Sequence, residues 1–572
     1  MVMFVRVIHD TSRQRPRWRV IVVESRRLGT TVLQKVIQEI GTAYDLEASE
    51  QLRAEGELFI LSRQQQQLAG TRPLFDAPTL AQVRAYLRQP SERSRQSPGA
   101  LSDLYLSNEA ISVGDLVWGE LYREIGWDQV LGVRKRSANQ ILKQLVLARL
   151  ARPRSKRRTA QEQSASVGPR FSVNRAYQTM DYLDEARQQK VVRDWRRRAL
   201  SLHQKPLTAV LYDTTTLAFE SAREDLGELR RKGYSKDGKP QDVQVLFALL
   251  ITPTGLPLGY RIYPGNQYEG HTLLDALAGF QEEGMPRQMT VIADAGLCHY
   301  QNQQLLQQHG YHYVLGQGVR NLKQQWQAAL FDLDRYTEVT LPEGPTLKLR
   351  VLLDGDRRVL VTYSEKRARK DAKQREKTIE KLRQRLGTRA PVKECIRPAM
   401  SKFLHVSPQG YVTLDDAAIA ADARWDGLHA IVTNHDNPQD DVALLAQYRQ
   451  LGQIEDGFRT NKHQLQVRPV YHWKDRRIQA HFLICFMAFC CLQELRWRLR
   501  TRKVPFSVDQ ILTLLQQTQL PLMENVKTNK QYVLAAAAPK ELKTLMRIFN
   551  LQWPRYSFEL PEPVPKPAMH GG

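Results

Sequence analysis

The chain has 572 residues, 42% hydrophobic and 25% charged, with 84 Lys and Arg against 60 Asp and Glu, a net charge of +24. That length is too great for one hydrophobic core, and the composition is that of a globular protein of several domains rather than a disordered one. The positive excess favours a polyanionic partner, and the five cysteines, few, odd in number and lacking paired CxxC spacing, point to no disulfide framework or zinc site.

Residues 1–45 read as a small antiparallel sheet with a possible DNA contact. Met3–His9, Arg17–Ser25 and Thr31–Ile37 are rich in β-branched and aromatic residues, with basic turns around Arg13, Arg15, Arg26 and Arg27. Residues 46–200 read as a helical DNA-binding region. It carries a basic segment, Ala151–Thr159, running into a Gln/Ser linker, and a second basic cluster, Arg193–Arg198. The period changes after 200. Leu207–Asp213, Asp242–Thr252, Leu256–Tyr263 and Met289–Asp294 are apolar strands, with a helix opening at Gly270 and a short strand at Tyr311–Leu315. Residues 201–320 are thus the first part of an α/β core. Residues 321–435 read as a β-rich insertion with a charged helix, 436–500 as the second part of the core, and 501–572 as a helical C-terminus with a Pro-rich tail. Phe482–Leu492 is too short to span a bilayer and reads as a buried helix, and the N-terminus lacks a secretory pattern. The expectation is a cytoplasmic protein without a membrane partner.

Asp213 and Asp294 each close a strongly apolar strand. Such carboxylates, joined by a third on a nearby helix, suit two Mg²⁺ ions, which take oxygen ligands and can activate the attacking oxygen and stabilise the leaving one in phosphodiester displacement. The third acid is sought in Tyr448–Lys462, read as one helix. Tyr448, Glu455 and Lys462 recur every seven residues and fall on one stripe, fit for a phosphate chain with a metal-binding carboxylate at its middle. Asp456 is the rival acid, about 100° round the helix. Lys236, in Gly233–Pro240, reads equally as part of a phosphate-touching loop or of a plain turn. Gly238-Lys239 lacks the P-loop frame, so no ATP is expected.

The blocks Tyr212–Thr216, Gly233–Pro240, Leu258–Asn266, Ile292–Leu297 and Tyr448–Lys462, in that order, resemble the bacterial insertion-sequence DDE transposases with a Tyr-Arg-Glu-Lys signature. The resemblance covers roughly residues 205–495. It implies an RNase H-like core interrupted by a β-rich insertion, with Asp213, Asp294 and Glu455 as catalytic metal ligands for Mg²⁺, replaceable by Mn²⁺. It implies that Tyr448 and Lys462 contact transposon-end DNA. The double-stranded partners would be terminal inverted repeats and target DNA, bound by a homodimer associated with the bacterial nucleoid. The family's Arg falls on Leu451 here, and Arg449 or Arg459 is the substitute in reach. A nuclease that cuts without joining, a DNA-binding protein without catalysis, and a recombinase using Tyr448 as nucleophile are the alternatives.

Overall fold

The computed structural model describes residues 2–10, 17–28, 31–70, 80–88, 98, 103–161, 171–203, 206–220, 227–234, 242–282, 289–342, 344–386, 398–407, 412–525, 527–528, 530–535 and 537–560. The β-branched N-terminal segments form β1 (Val2–Asp10), β2 (Arg17–Leu28) and β3 (Thr31–Ala43), an antiparallel sheet against which the helix Leu46–Gly70 packs. Arg13 and Arg15 lie outside the described residues.

From Leu46 to Leu202 helices dominate the described residues, with one strand among them. That strand, Leu104–Ser112, is β4.

The central sheet begins with β5 (Ala209–Ala218), followed by β6 (Arg231–Lys232), β7 (Val243–Ile251), β8 (Pro257–Pro264), β9 (Thr290–Ala293) and β10 (His312–Gln317). Its middle runs in the order β8-β7-β5-β9-β10: β7 and β8 are antiparallel neighbours, whereas β5, β9 and β10 run parallel. Every residue of β7 is buried, which is why its run Val243–Ile251 shows no polar alternation.

The insertion does not form a separate sheet. Its strands β11 (Thr337–Thr340), β12 (Thr346–Asp354) and β13 (Arg357–Tyr363) extend the central sheet, because β16 (Leu428–Thr433) pairs with β13 on one side and β10 on the other. Among the described residues of the insertion, β14 (Leu404–Val406) and β15 (Val412–Leu414) stand aside as a separate antiparallel pair. The buried ion pair Arg358–Asp441, at 2.6 Å, locks β13 to the start of the helix Asp441–Arg449, and Arg358 also donates to the Asn437 carbonyl.

The residues after 501 correct the expectation of a purely helical C-terminus. β17 (Gln519–Asn525), β18 (Lys530–Val533) and β19 (Phe558–Glu559) make a sheet with β4 in the order β19-β18-β17-β4. β17 and β18 are close in sequence, but β4 lies too far from β17 for any local pattern to pair them.

The apolar run belongs to a 27-residue helix, Asp475–Thr501. By length and composition it could cross a membrane, but 94% of its most apolar window is buried in the protein. Phe482 stacks on Phe247 of β7 and Phe486 packs at a tilt against Tyr260 of β8, so the helix covers one face of the sheet. Its Glu494 is fully buried, paired with Arg198 at 2.7 Å and Arg498 at 2.5 Å; Glu124 pairs with both arginines. Much of the Arg193–Arg198 cluster is therefore structural: Trp195 is buried and Arg196 donates to the Leu258 carbonyl. The basic segment Ala151–Thr159 is likewise not all surface. Lys156 is turned into the core, 3.3 Å from His481 Nδ1, while His481 Nε2 meets the Val467 carbonyl at 3.0 Å.

Two outcomes follow from these buried charges. Glu494→Ala removes the fully buried carboxylate and leaves Glu124 paired with both arginines, so a loss of about 1–3 kcal/mol is expected, read as a lower thermal midpoint. Burial, and next the charge of Arg149, push the Lys156 pKa down to about 7. Between pH 7 and 10.5 the unfolded chain then holds a proton that the folded chain does not. Stability should therefore rise with pH across that window, the penalty being fully present below it. Lys156→Met should flatten the rise by up to a few kcal/mol, seen in melting curves at stepped pH.

Candidate active site

Asp213 lies in the middle of β5, not at its end, because Thr214–Ala218 continue the strand against β7. What ends before Asp213 is the parallel pairing to β9, at Tyr212↔Ala293. Asp213 and Asp294 are thus the next residues on two adjacent strands. Neighbouring strands lie about 4.8 Å apart, so the carboxylates emerge side by side. Asp213 Oδ1 accepts from the Thr214 N–H at 2.6 Å and Asp294 Oδ1 from the Gly296 N–H at 2.9 Å, so local backbone holds each carboxylate.

Tyr448–Lys462 is built in three pieces rather than one helix: the end of Asp441–Arg449, then Gly452–Arg459, then a π-helical segment Thr460–Gln464. At the first joint the hydrogen bonds span three residues, from Leu451 N–H to Tyr448 O and from Ile454 N–H to Leu451 O. At the second they span five, from Leu465 N–H to Thr460 O. Each residue therefore turns more than the α-helical ~100° at the first joint and less at the second, which breaks the expected stripe. Glu455 is exposed, whereas Tyr448 and Lys462 are half-buried. Arg496 braces the π segment, donating to Thr460 Oγ1 and Gln464 Oε1, each at 3.0 Å.

The helix of Glu455 covers the face from which Asp213 emerges. Asp213 is paired with Leu249 across β7, and directly paired residues point the same way. A side chain at Gly457 would meet Leu249 at 3.3 Å, and the Phe458 ring lies edge-on to Phe247. The aspartate pair and Glu455 thus share a face. They do not meet in one cluster: among the described residues no three His, Cys, Asp or Glu side chains are gathered closely enough to hold a metal ion.

Tyr448 joins the aspartates instead. Burial, followed by the charge of Asp294 and lesser effects that include Asp213, pushes its phenol up to about 12. Gly316 of β10 makes room for it: a Cβ there would stand 2.3 Å from Tyr448 Oη and 2.8 Å from the Ala295 nitrogen. His429 of β16 lies 5.3 Å from the Tyr448 ring, and burial pushes this imidazole down to about 4. At neutral pH the phenol keeps its proton and the imidazole is uncharged. Tyr448 is placed to donate a hydrogen bond and poorly suited to act as a nucleophile, which weighs against the recombinase alternative.

The other predicted residues separate. Leu451 is buried, so the position of the family's Arg faces the core here. Arg459 is exposed and paired with Asp456 on the same helix. Lys236 lies outside the described residues. Sequence reasoning missed Gly316 and His429, which join the site only through contacts between distant strands and the Tyr448 helix.

The transposase DDE domain family matches residues 204–491, a stretch that contains both aspartates, Tyr448, Glu455 and Lys462. The chain belongs to this family. It is a transposase, of a family of DNA-cleaving enzymes that use divalent metal ions. No curated protein matches the sequence. Among solved structures it is similar to a piggyBac transposase, in a synaptic complex with hairpin DNA, at 10% identity over 77% of this chain and 78% of that one, with a TM-score of 0.33. As in DDE transposases generally, the donors on offer are carboxylate oxygens, which fit a hard divalent cation.

The Tyr448 contact is testable. Gly316→Ala should displace the phenol and lower DNA cleavage by about tenfold or more while the protein still folds. Tyr448→Phe removes the clashing oxygen, so the double variant should lose less than the sum of the two single losses. Cleavage of a labelled end duplex, alongside circular dichroism, measures both.

Proposed function

We propose that this chain is the transposase of a bacterial insertion sequence, with an RNase H-like core that cuts DNA at the element's ends and joins the freed 3′ ends to target DNA. The observation that carries the reading is the in-register placement of Asp213 and Asp294 within the matched domain, with the helix of Glu455 on the same face. The sheet order β8-β7-β5-β9-β10, with three antiparallel strands followed by two parallel ones, supports the RNase H-like assignment.

Asp213, Asp294 and Glu455 would hold two Mg²⁺ ions, or Mn²⁺ in their place. When bound, the metal supplies activation of the attacking oxygen and charge stabilisation at the leaving oxygen. The aspartate pair forms the fixed side of the site and Glu455 the side that approaches it on a separate helix. Tyr448 donates a hydrogen bond from its protonated phenol to a phosphate oxygen of the bound end. Lys462, Arg459 and Lys236 neutralise phosphates along the terminal inverted repeats and the target. The net charge of +24 suits that task. Two copies would act together, one at each end.

Glu455→Gln keeps size and helix propensity but removes charge from the site. It should retain DNA binding and lose both nicked and joined products in an Mg²⁺ assay on an end duplex. Asp456→Asn, which only loosens the exposed pair to Arg459, should keep substantial activity. The reverse outcome would make Asp456 the third acid, and nicks without joined product would make the protein a nuclease.

A further inference from the structure

A polar network lies behind the two aspartates, on the opposite face of the sheet. Side chains alternate along β5, so Tyr212 and Thr214 point away from the Asp213 face. The Tyr212 hydroxyl donates to Thr272 Oγ1 at 2.9 Å, and Thr272 Oγ1 donates to the Glu269 carbonyl at 2.6 Å. Thr214, almost fully buried, donates its hydroxyl to Glu269 Oε2 at 2.8 Å. The second carboxylate oxygen, Glu269 Oε1, lies 2.7 Å from where a Cβ on Gly296 would stand, and Asp294 Oδ1 lies 3.2 Å from the same point. Buried Asn302 donates to the Gly270 carbonyl at 2.8 Å and the Leu297 carbonyl at 3.0 Å, tying the turn Glu269–His271 to the turn Ala295–Leu297. Glu269 therefore grips the strand that carries one aspartate and presses on the turn that carries the other.

The Glu269 carboxylate is held on one oxygen by the Thr214 hydroxyl and lies with the other against Gly296. Its oxygens reach the residue after Asp213 and the glycine whose N–H holds Asp294. Those are the two points from which the separation of the pair can be set without touching the pair's outward lone pairs.

We propose that Glu269 is a positioning residue for the aspartate pair, fixing the separation of Asp213 and Asp294 from behind through Thr214 and Gly296. The proposal rests on the reading of that pair as metal-holding. Outer partners of metal ligands act in this way by limiting the orientations the ligands can take.

The test is Mn²⁺ binding to the full chain by isothermal titration, read beside the melting temperature without metal. Glu269→Ala should weaken Mn²⁺ affinity by roughly tenfold or more, the scale on which loss of an outer partner acts. Glu269→Gln, which keeps an acceptor for Thr214, should stay within about threefold of the parent protein. Thr214→Val removes only the hydroxyl at equal volume and should weaken binding in the same direction, so it decides the matter if Glu269→Ala fails to fold. A purely structural role would lower the melting temperature and leave Mn²⁺ affinity unchanged. Unchanged affinity in Glu269→Ala or, should that variant not fold, in Thr214→Val overturns the proposal. So does a loss in Glu269→Gln as large as in Glu269→Ala, because charge rather than position would then be the cause. Asp213→Asn is the control. If it abolishes binding while Glu269→Ala does not, the role of Glu269 alone fails; if it changes nothing, the metal reading fails and this proposal with it.

Discussion

The parallel pairing of β5 with β9 is the constraint on which the site depends. Four residue pairs, from Ala209↔Thr290 to Tyr212↔Ala293, fix the register, and the next residue on each strand is an aspartate. A slip of one residue would send one carboxylate to the opposite face. The register is well protected. Val210, Leu211, Val291 and Ile292 are all fully buried, so a slipped arrangement would carry apolar side chains to the wrong layer. Core packing, applied to the strands, thus sets the geometry of two polar side chains that contribute nothing to the core themselves.

The remaining parts of the site reach the sheet on elements tied down elsewhere. The helix of Tyr448 is anchored at its start by Arg358 of the insertion, and its phenol fits over Gly316 of β10. The helix of Glu455 rests on Leu249 and Phe247, and the π segment after it is held by Arg496 from the buried helix. That buried helix is fixed in turn by Glu494 and its arginines, which reach back to residues 124 and 198. The insertion and the N-terminal helices are therefore mechanically part of the site, although neither supplies an acid to it.

The strands around both aspartates were legible in the sequence because buried parallel strands write themselves as unbroken apolar runs. The order of the motif blocks was legible through their resemblance to a known family. Three things were not. The break in Tyr448–Lys462 depends on side chains from other elements, such as Arg496, and a periodicity count assumes an unbroken helix. The pairing of β4 with β17 is a contact between distant segments, and Leu104–Ser112 alone has no partner to reveal it. Nor does charge counting separate solvated cations from structural ones: Arg149, Lys156, Arg196, Arg230, Arg358 and Arg498 all contribute to the basic total while buried. The field presented to a polyanion comes from a smaller set than the composition suggests.

The β4–β17 pairing also bears on how the molecule is made. Ser112 meets Gln519, so this sheet closes a loop of about 400 residues and cannot form until Gln519–Asn525 has left the ribosome. Until then β4 presents an unpaired edge, the kind of surface that recruits strands from neighbouring chains. A nascent chain halted after the DDE domain would carry both aspartates and Glu455 yet leave that edge open. The pairing thus ties Leu104–Ser112 to Gln519–Asn525 across the whole DDE domain, and a chain cut anywhere between them leaves β4 without this partner strand.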